Sequence, residues 1–295
     1  MAHDRQAEVV IAVGLAAAML LALRFVLQQH QAAEVPSGAP LRPGLLLVLL
    51  RRPMWLAGIA TMVCGQLLGA TALGLGSLVV VEPLLATNVL FALPLGALWS
   101  RRRLQRGDWI GAVSMIAGLA LLLGLDRPQR TGTVLVGAWP ILLGGGAVAV
   151  VVGLIVAFAI NRRARVRALM LAAAAGTTFG MQDVLTQQLI RRLGQGLLTQ
   201  LVSWPLWSVV GAAAIGLTFA QNAFSTADLS ASLPALTLAE PVTGLLLSTV
   251  LFGQGLRTNP GSLAAGAAGL AVMVLGVVLL TRSPLVLDPH QRGSP

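Results

Sequence analysis

The sequence predicts an all-α integral membrane protein of about nine transmembrane helices, ten on an alternative count, built as an inverted repeat with a linking helix. Three observations predict it. First, 56% of the residues are apolar and 10% are charged, whereas soluble domains carry roughly 25% charged residues. A soluble chain of this composition would expose large apolar patches. Second, the apolar residues fall into stretches of about 20, the length that crosses a bilayer as a helix. Third, the chain matches itself when shifted by 158 residues.

The expected spans lie near 8–27, 54–75, 77–98, 109–125, 134–160, 168–190, 201–221, 228–252 and 262–281. The apolar segment 43–50 is too short to cross alone; it is an interfacial or re-entrant piece, or it completes a tenth span. The start of the chain, Met1 to Glu8, lacks a strongly basic region and no cleavage site stands out, so the first span is not expected to be a signal peptide.

The basic residues fix the expected orientation. All twenty are Arg, giving a net charge of +10. Runs such as Arg101-Arg102-Arg103 and Arg162-Arg163 sit in short gaps between apolar stretches, as cytoplasmic loops do under the positive-inside rule. On a nine-span chain thirteen Arg fall on one side and six on the other, with Arg24 inside a span. The thirteen-Arg side is expected to be cytoplasmic, which puts the C-terminus in and the N-terminus out. A nucleic-acid partner is not expected, because no separate basic domain accompanies the charge. Most Trp residues lie near the ends of apolar stretches, as in an aromatic belt. The single cysteine, Cys64, cannot form an internal disulfide.

The shift of 158 places Leu78, Glu82 and Pro83 on Leu236, Glu240 and Pro241. It places Gly111, Met115 and Gly118 on Gly269, Met273 and Gly276, Leu121-Leu122 on Leu279-Leu280, and Val26-Leu27-x-Gln29 on Val184-Leu185-x-Gln187. The third span thereby falls on the eighth, five spans away, which reverses its direction. The expected units are a first repeat at 1–133 with four spans and the 43–50 segment, a linking span at 134–160, a second repeat at 161–283 with four spans, and a cytoplasmic tail at 284–295. Inverted repeats of this kind place a solute site near the midplane between the halves.

The stretch Ala72 to Pro83, and Leu236 to Gly253 with Glu240-Pro241 followed by Leu251-Phe252-Gly253, resemble the repeats of the drug/metabolite transporter superfamily of the EamA type. The first span ending in Gln28-Gln29 and the missing clear second span resemble the NIPA-like magnesium transporter branch. The resemblance implies a transporter with a divalent cation such as magnesium as its solute. One departure is that Gln254 and Arg102 stand where the family repeats carry an acid after the Glu-Pro span.

Charged groups inside a hydrocarbon layer cost roughly 2.5–3.5 kcal/mol each and are functional candidates by default. Four lie inside the expected spans, away from their end residues: Arg24, Glu82, Asp183 and Glu240. Glu82 and Glu240 each precede a proline, which frees a backbone carbonyl. A carboxylate beside a freed carbonyl suits a hard cation or a proton, so these two are the candidate metal-binding residues. The bland alternative is that each Glu only stabilises a kink.

Asp183, Thr186 and Gln187 share one helical face, and Gly176 with Gly180 extends it. Such a stripe is expected to face the protein interior, either lining a path or packing helices. Gln182, Asn88 and Gln66 are weaker candidates, more readily explained as interhelical hydrogen-bonding groups. Arg24 is explained by snorkelling to the interface, by pairing with Asp183, or by binding an anion. No cofactor is expected. No nucleophile–base pair or phosphate loop is present, so an enzyme is not expected. The expected function is secondary transport of a small solute, with the bilayer as partner and a homodimer open; a proton-coupled exporter of an amino acid, metabolite or drug, and a non-transporting membrane scaffold, are the alternatives.

Overall fold

A computed structural model of the chain describes residues 2–35, 41–42, 44–75, 78–99, 104–124, 137–191, 203–227, 229–252 and 260–281. The described residues contain no strand and form eleven helices: α1 (Ala2–Ala33), α2 (Leu45–Leu49), α3 (Pro53–Leu75), α4 (Leu78–Ala86), α5 (Asn88–Trp99), α6 (Arg106–Gly124), α7 (Ala138–Ile160), α8 (Ala164–Arg191), α9 (Trp204–Thr226), α10 (Leu229–Phe252) and α11 (Pro260–Thr281). Six of these are long and apolar enough to cross a membrane, namely α1, α3, α7, α8, α9 and α10. Shorter apolar helices cover Pro83–Trp99 and Ala264–Leu280. Many large apolar side chains face outward, Val250 at 79% exposure and Trp139 at 71% among them. In water that surface would be untenable, and in a bilayer it is ordinary. The chain is an all-helical membrane protein.

Two local features depart from uninterrupted spans. The segment 43–50 yields only the five-residue α2, about 7.5 Å long, far short of the ~30 Å hydrocarbon layer. Its Leu45 and Leu49 are buried against the protein. The stretch 77–98 is divided into α4 and α5 at Thr87. There the Thr87 N–H and hydroxyl both donate to the Leu84 carbonyl, at 3.2 and 2.6 Å. That tight turn interrupts the helical ladder, and Pro83 and Pro94 weaken the ladder on either side of it.

Small residues bring the main pairs of helices into contact. α6 and α11 cross with backbone on backbone. A Cβ placed on Gly118 would lie 2.6 Å from the Gly269 carbonyl oxygen, and one on Gly276 would lie 2.6 Å from that of Gly111. The reverse also holds, with Gly269 facing the Gly118 oxygen at 2.8 Å and Gly111 facing that of Gly276 at 2.9 Å. Only glycine permits this approach. α8 lies along α10 in the same manner, since a Cβ on Gly176 would clash with the Leu236 carbonyl and one on Gly180 with that of Glu240. α1 meets α3 at Gly65, whose Cβ would lie 3.3 Å from the Ala17 carbonyl oxygen.

The largest buried cluster joins Phe25 of α1, Trp55 of α3, Leu171 of α8, Phe224 of α9 and Leu236 of α10. Phe25 and Phe224 pack edge to face with ring centroids 6.2 Å apart, a favoured aromatic geometry. By contrast α7 is mostly exposed and leans chiefly on α8, with Ile141 packed against Met181.

Candidate functional site

The charged residues inside the helices do not all meet. The Arg24 guanidinium lies within Coulombic range of the Glu240 carboxylate. This joins α1 to α10 across 216 residues of sequence, with Glu240 as an opposite charge near Arg24. Glu240 is the twelfth residue of the 24-residue α10, so it stands at the middle of the helix. Its backbone is clamped against Gly180, whose Cβ would sit 2.5 Å from the Glu240 oxygen. Pro241 follows inside the same helix and leaves the carbonyl one turn earlier without its helical donor.

Glu82 lies in α4 directly before Pro83, and its side chain is outside the described residues, as is that of Gln187. The expected interior stripe on α8 holds for Gly176 and Gly180, which are buried, and ends there: Asp183, one turn further, is exposed. The close approach of α8 to α10 depends on glycine, and beyond Gly180 no small residue continues it on that face. The Thr186 hydroxyl donates to the Gln182 carbonyl of its own helix at 2.8 Å. Gln182 is half-buried with its Oε1 unpartnered among the described residues. Gln66 is exposed on α3. Asn88 is half-buried at the α4–α5 break, and its Oδ1 has no partner among the described residues.

Beside the Arg24–Glu240 pair lies a group that the sequence reading passed over. Gln28, one turn beyond Arg24 on α1, is 1% exposed, and Gln221 of α9 is fully buried. Gln221 Nε2 donates to Gln28 Oε1 at 3.0 Å. That leaves Gln28 Nε2 and Gln221 Oε1 buried without partners among the described residues, and Arg24 Nε is in the same condition. Turning both amides over exchanges the roles but still leaves one donor and one acceptor unpaired. Each unpaired buried group costs about 1–3 kcal/mol. Gln28 is held in place from the other side by Gly58 of α3, whose Cβ would lie 3.0 Å from Gln28 Cγ. The Arg24 guanidinium carbon stands 4.2 Å from the Phe25 ring centroid.

At this end of the bundle, described residues between α1 and α3 meet α9 and each other. Asn222, next to Gln221, accepts from the Arg42 N–H at 2.8 Å and donates to the Arg42 carbonyl at 3.2 Å. Glu34 pairs with Arg52 at 2.5 Å and with His30 at 3.1 Å. The sequence does carry a signal for this region: Gln28-Gln29 and Gln221-Asn222 are polar pairs near the ends of otherwise apolar stretches. Nothing in a single sequence says that the two ends meet.

No family model matches the chain, and no solved structure matches it. An uncharacterized protein of Corynebacterium glutamicum is 29% identical to it over 272 residues, which is 91% of this chain and 93% of that protein. The similarity runs nearly end to end and is not confined to one segment.

Proposed function

We propose that this protein is a secondary transporter of a small solute in the cytoplasmic membrane, working by alternating access about a site at Glu240. The observation that carries the reading is the Arg24–Glu240 pair: two opposite charges from distant parts of the chain, with Glu240 at mid-helix, where charge is most costly. A chain that needed only helix packing would gain nothing from this pair, since buried ion pairs are often no better than apolar residues of similar size.

An inverted repeat supports the reading. The α6–α11 contacts are reciprocal, as a two-fold relating each residue to the one 158 later requires: Gly111 with Gly276 returns as Gly269 with Gly118, and Gly111 with Leu280 returns as Gly269 with Leu122. The second spans correspond at an offset of 151, because Gly65 packs on Leu21 while Gly216 packs on Phe179. The connection from α1 to α3 has nineteen residues and that from α8 to α9 has twelve. The seven extra residues accommodate α2. On this plan α4 with α5 forms one span, the spans number nine, and α7 links the halves. Residues 1–133 and 161–283 are then the two repeats. The likeness of the Glu-Pro repeats to the drug/metabolite transporter superfamily points the same way.

The solute is read from the charges. A divalent cation such as magnesium fits the acids Glu82 and Glu240 and the NIPA-like resemblance. Arg24 beside Glu240 opposes it, because like charges repel strongly where water is scarce. We therefore favour an organic solute, with Glu240 as the group that carries a coupled proton.

Flux into proteoliposomes of purified protein tests the reading. Glu240→Gln is expected to lower flux about tenfold or more while the protein stays monodisperse; unchanged flux would leave a scaffold role for the acid. Saturable magnesium uptake by the wild type, lost in Glu82→Gln or Glu240→Gln, would decide for the cation instead. Under the proposed orientation a reporter fused after Val35 is cytoplasmic, and external placement would restore the ten-span count.

A further inference from the structure

The buried amides beside Arg24 are expensive to leave unpaired, and helix packing gives no reason for them. Gln28 and Gln221 bridge α1 and α9 with one hydrogen bond while two of their polar groups go without partners among the described residues. Two leucines or methionines would bridge the same helices at less cost. The groups left over have a definite pattern. In these amide orientations Arg24 Nε and Gln28 Nε2 are the donors left over, one helical turn apart on α1, and Gln221 Oε1 of α9 is the acceptor left over. Glu240 adds a negative charge on the third side, from α10.

We propose that Arg24, Gln28 and Gln221, with Glu240, form the recognition site for a zwitterionic organic solute, one bearing a carboxylate and an ammonium group. The inference rests on the transport reading above and specifies its solute. The carboxylate lies against Arg24 and Gln28, where a charge-assisted donor pair is strongest. The ammonium lies against Gln221 Oε1 and Glu240. A bare cation satisfies only the second half of the site and a simple anion only the first. In the described state the two glutamines hold each other; a solute entering between them exchanges that single hydrogen bond for bonds to both amides. The same pair therefore recognises the solute and, when empty, ties α1 to α9.

The test is counterflow in proteoliposomes of the full-length protein. Vesicles are loaded with an unlabelled mixture of the common L-amino acids, and entry of the same mixture carrying a radiolabel is followed. A parallel set measures magnesium uptake. The expected result is counterflow by the wild type, competed by the unlabelled mixture but not by the matching amines or carboxylic acids alone. The double variant Gln28→Met/Gln221→Met is expected to be at least as heat-stable in detergent as the wild type and to lose counterflow about tenfold or more. Gln28→Asn is expected to raise the half-saturation concentration more than it lowers the maximal rate. Full counterflow in the double Met variant overturns the assignment of the glutamines. Loss of stability in that variant makes the pair a structural tie and overturns it equally. No counterflow by a monodisperse wild type overturns the zwitterion; if those vesicles carry magnesium, the transport reading stands with a different solute, and if they carry neither, both fall.

Discussion

The α6–α11 crossing and the meeting of α1, α9 and α10 are built on opposite plans. The crossing sets glycines against carbonyls and apolar side chains, with reciprocal glycine contacts. At the other place a guanidinium, a carboxylate and two amides are buried together, with hydrogen-bonding capacity left over. Under the 158-residue offset, Arg24 falls on Gln182 and Gln28 on Thr186, so the halves differ at these two positions, whereas Glu82 falls on Glu240 and the crossing glycines fall on glycines. The comparison teaches that shape and charge are separately disposed here. Close packing is carried by glycine spacing that recurs 158 residues later, while the polar centre draws its four side chains from three helices.

The crossing can be broken most severely. Gly118→Ala places a methyl 2.6 Å from both the Gly269 oxygen and Met273 Cγ, and Gly276→Ala meets the Gly111 oxygen at 2.6 Å and Met115 Cγ at 2.7 Å. Overpacking of this kind costs about 1–3 kcal/mol. The two variants are expected to lose equal amounts of heat stability, measured as the fraction monodisperse after heating. A clear inequality would remove the reciprocity from the comparison.

The polar centre has a smaller expected effect on folding and a larger one on flux. Arg24→Met removes the charge facing Glu240. Because the Glu can take up a proton instead of remaining charged, the stability loss is expected to be about 1–2 kcal/mol, less than the 3–5 kcal/mol of a rigidly ionised pair. A loss as large as that of Gly118→Ala, with flux retained, would make Arg24 structural.

The Glu34–Arg52 pair is exposed enough, at 45% and 31%, for water and salt to screen it. Arg52→Ala is expected to cost no more than about 1 kcal/mol, read in the same heating assay. Least of all should follow from Gly153→Ala on α7, where nothing lies within 4 Å of the added methyl. Its expected change is within about 0.5 kcal/mol, and a large loss there would mean that α7 is packed more closely than the described contacts allow.

Much of the architecture was legible in the sequence because its cause is local. Spans appear as apolar runs, and the glycines at 111, 118, 269 and 276 announce their contacts by spacing alone. Glu240 was legible because a carboxylate in such a run is rare. What escaped was non-local or conditional. The Gln28–Gln221 bond joins residues 193 apart, and an amide at a helix end reads as an interfacial group until the opposite helix is known. Asp183 read as interior because its helical face begins with Gly176 and Gly180, but a face is buried only as far as its neighbour follows it. The offset of 158 does not extend to the second spans, and the difference in length between the two connections, nineteen residues against twelve, appears only once the helix ends are known.

The isolation of α7 bears on the bilayer itself. Its 23 residues give a length of about 34 Å, a little more than the ~30 Å hydrocarbon layer. A helix in excess of the layer tilts to hide its ends, and does so at small cost per ångström. α7 has neighbours chiefly on one side, so it can lean as lipid chains shorten or lengthen without disturbing the glycine-backed pairs. A change in membrane thickness is therefore expected to tilt α7 more readily than the helices that, among the described residues, are held in glycine-backed pairs.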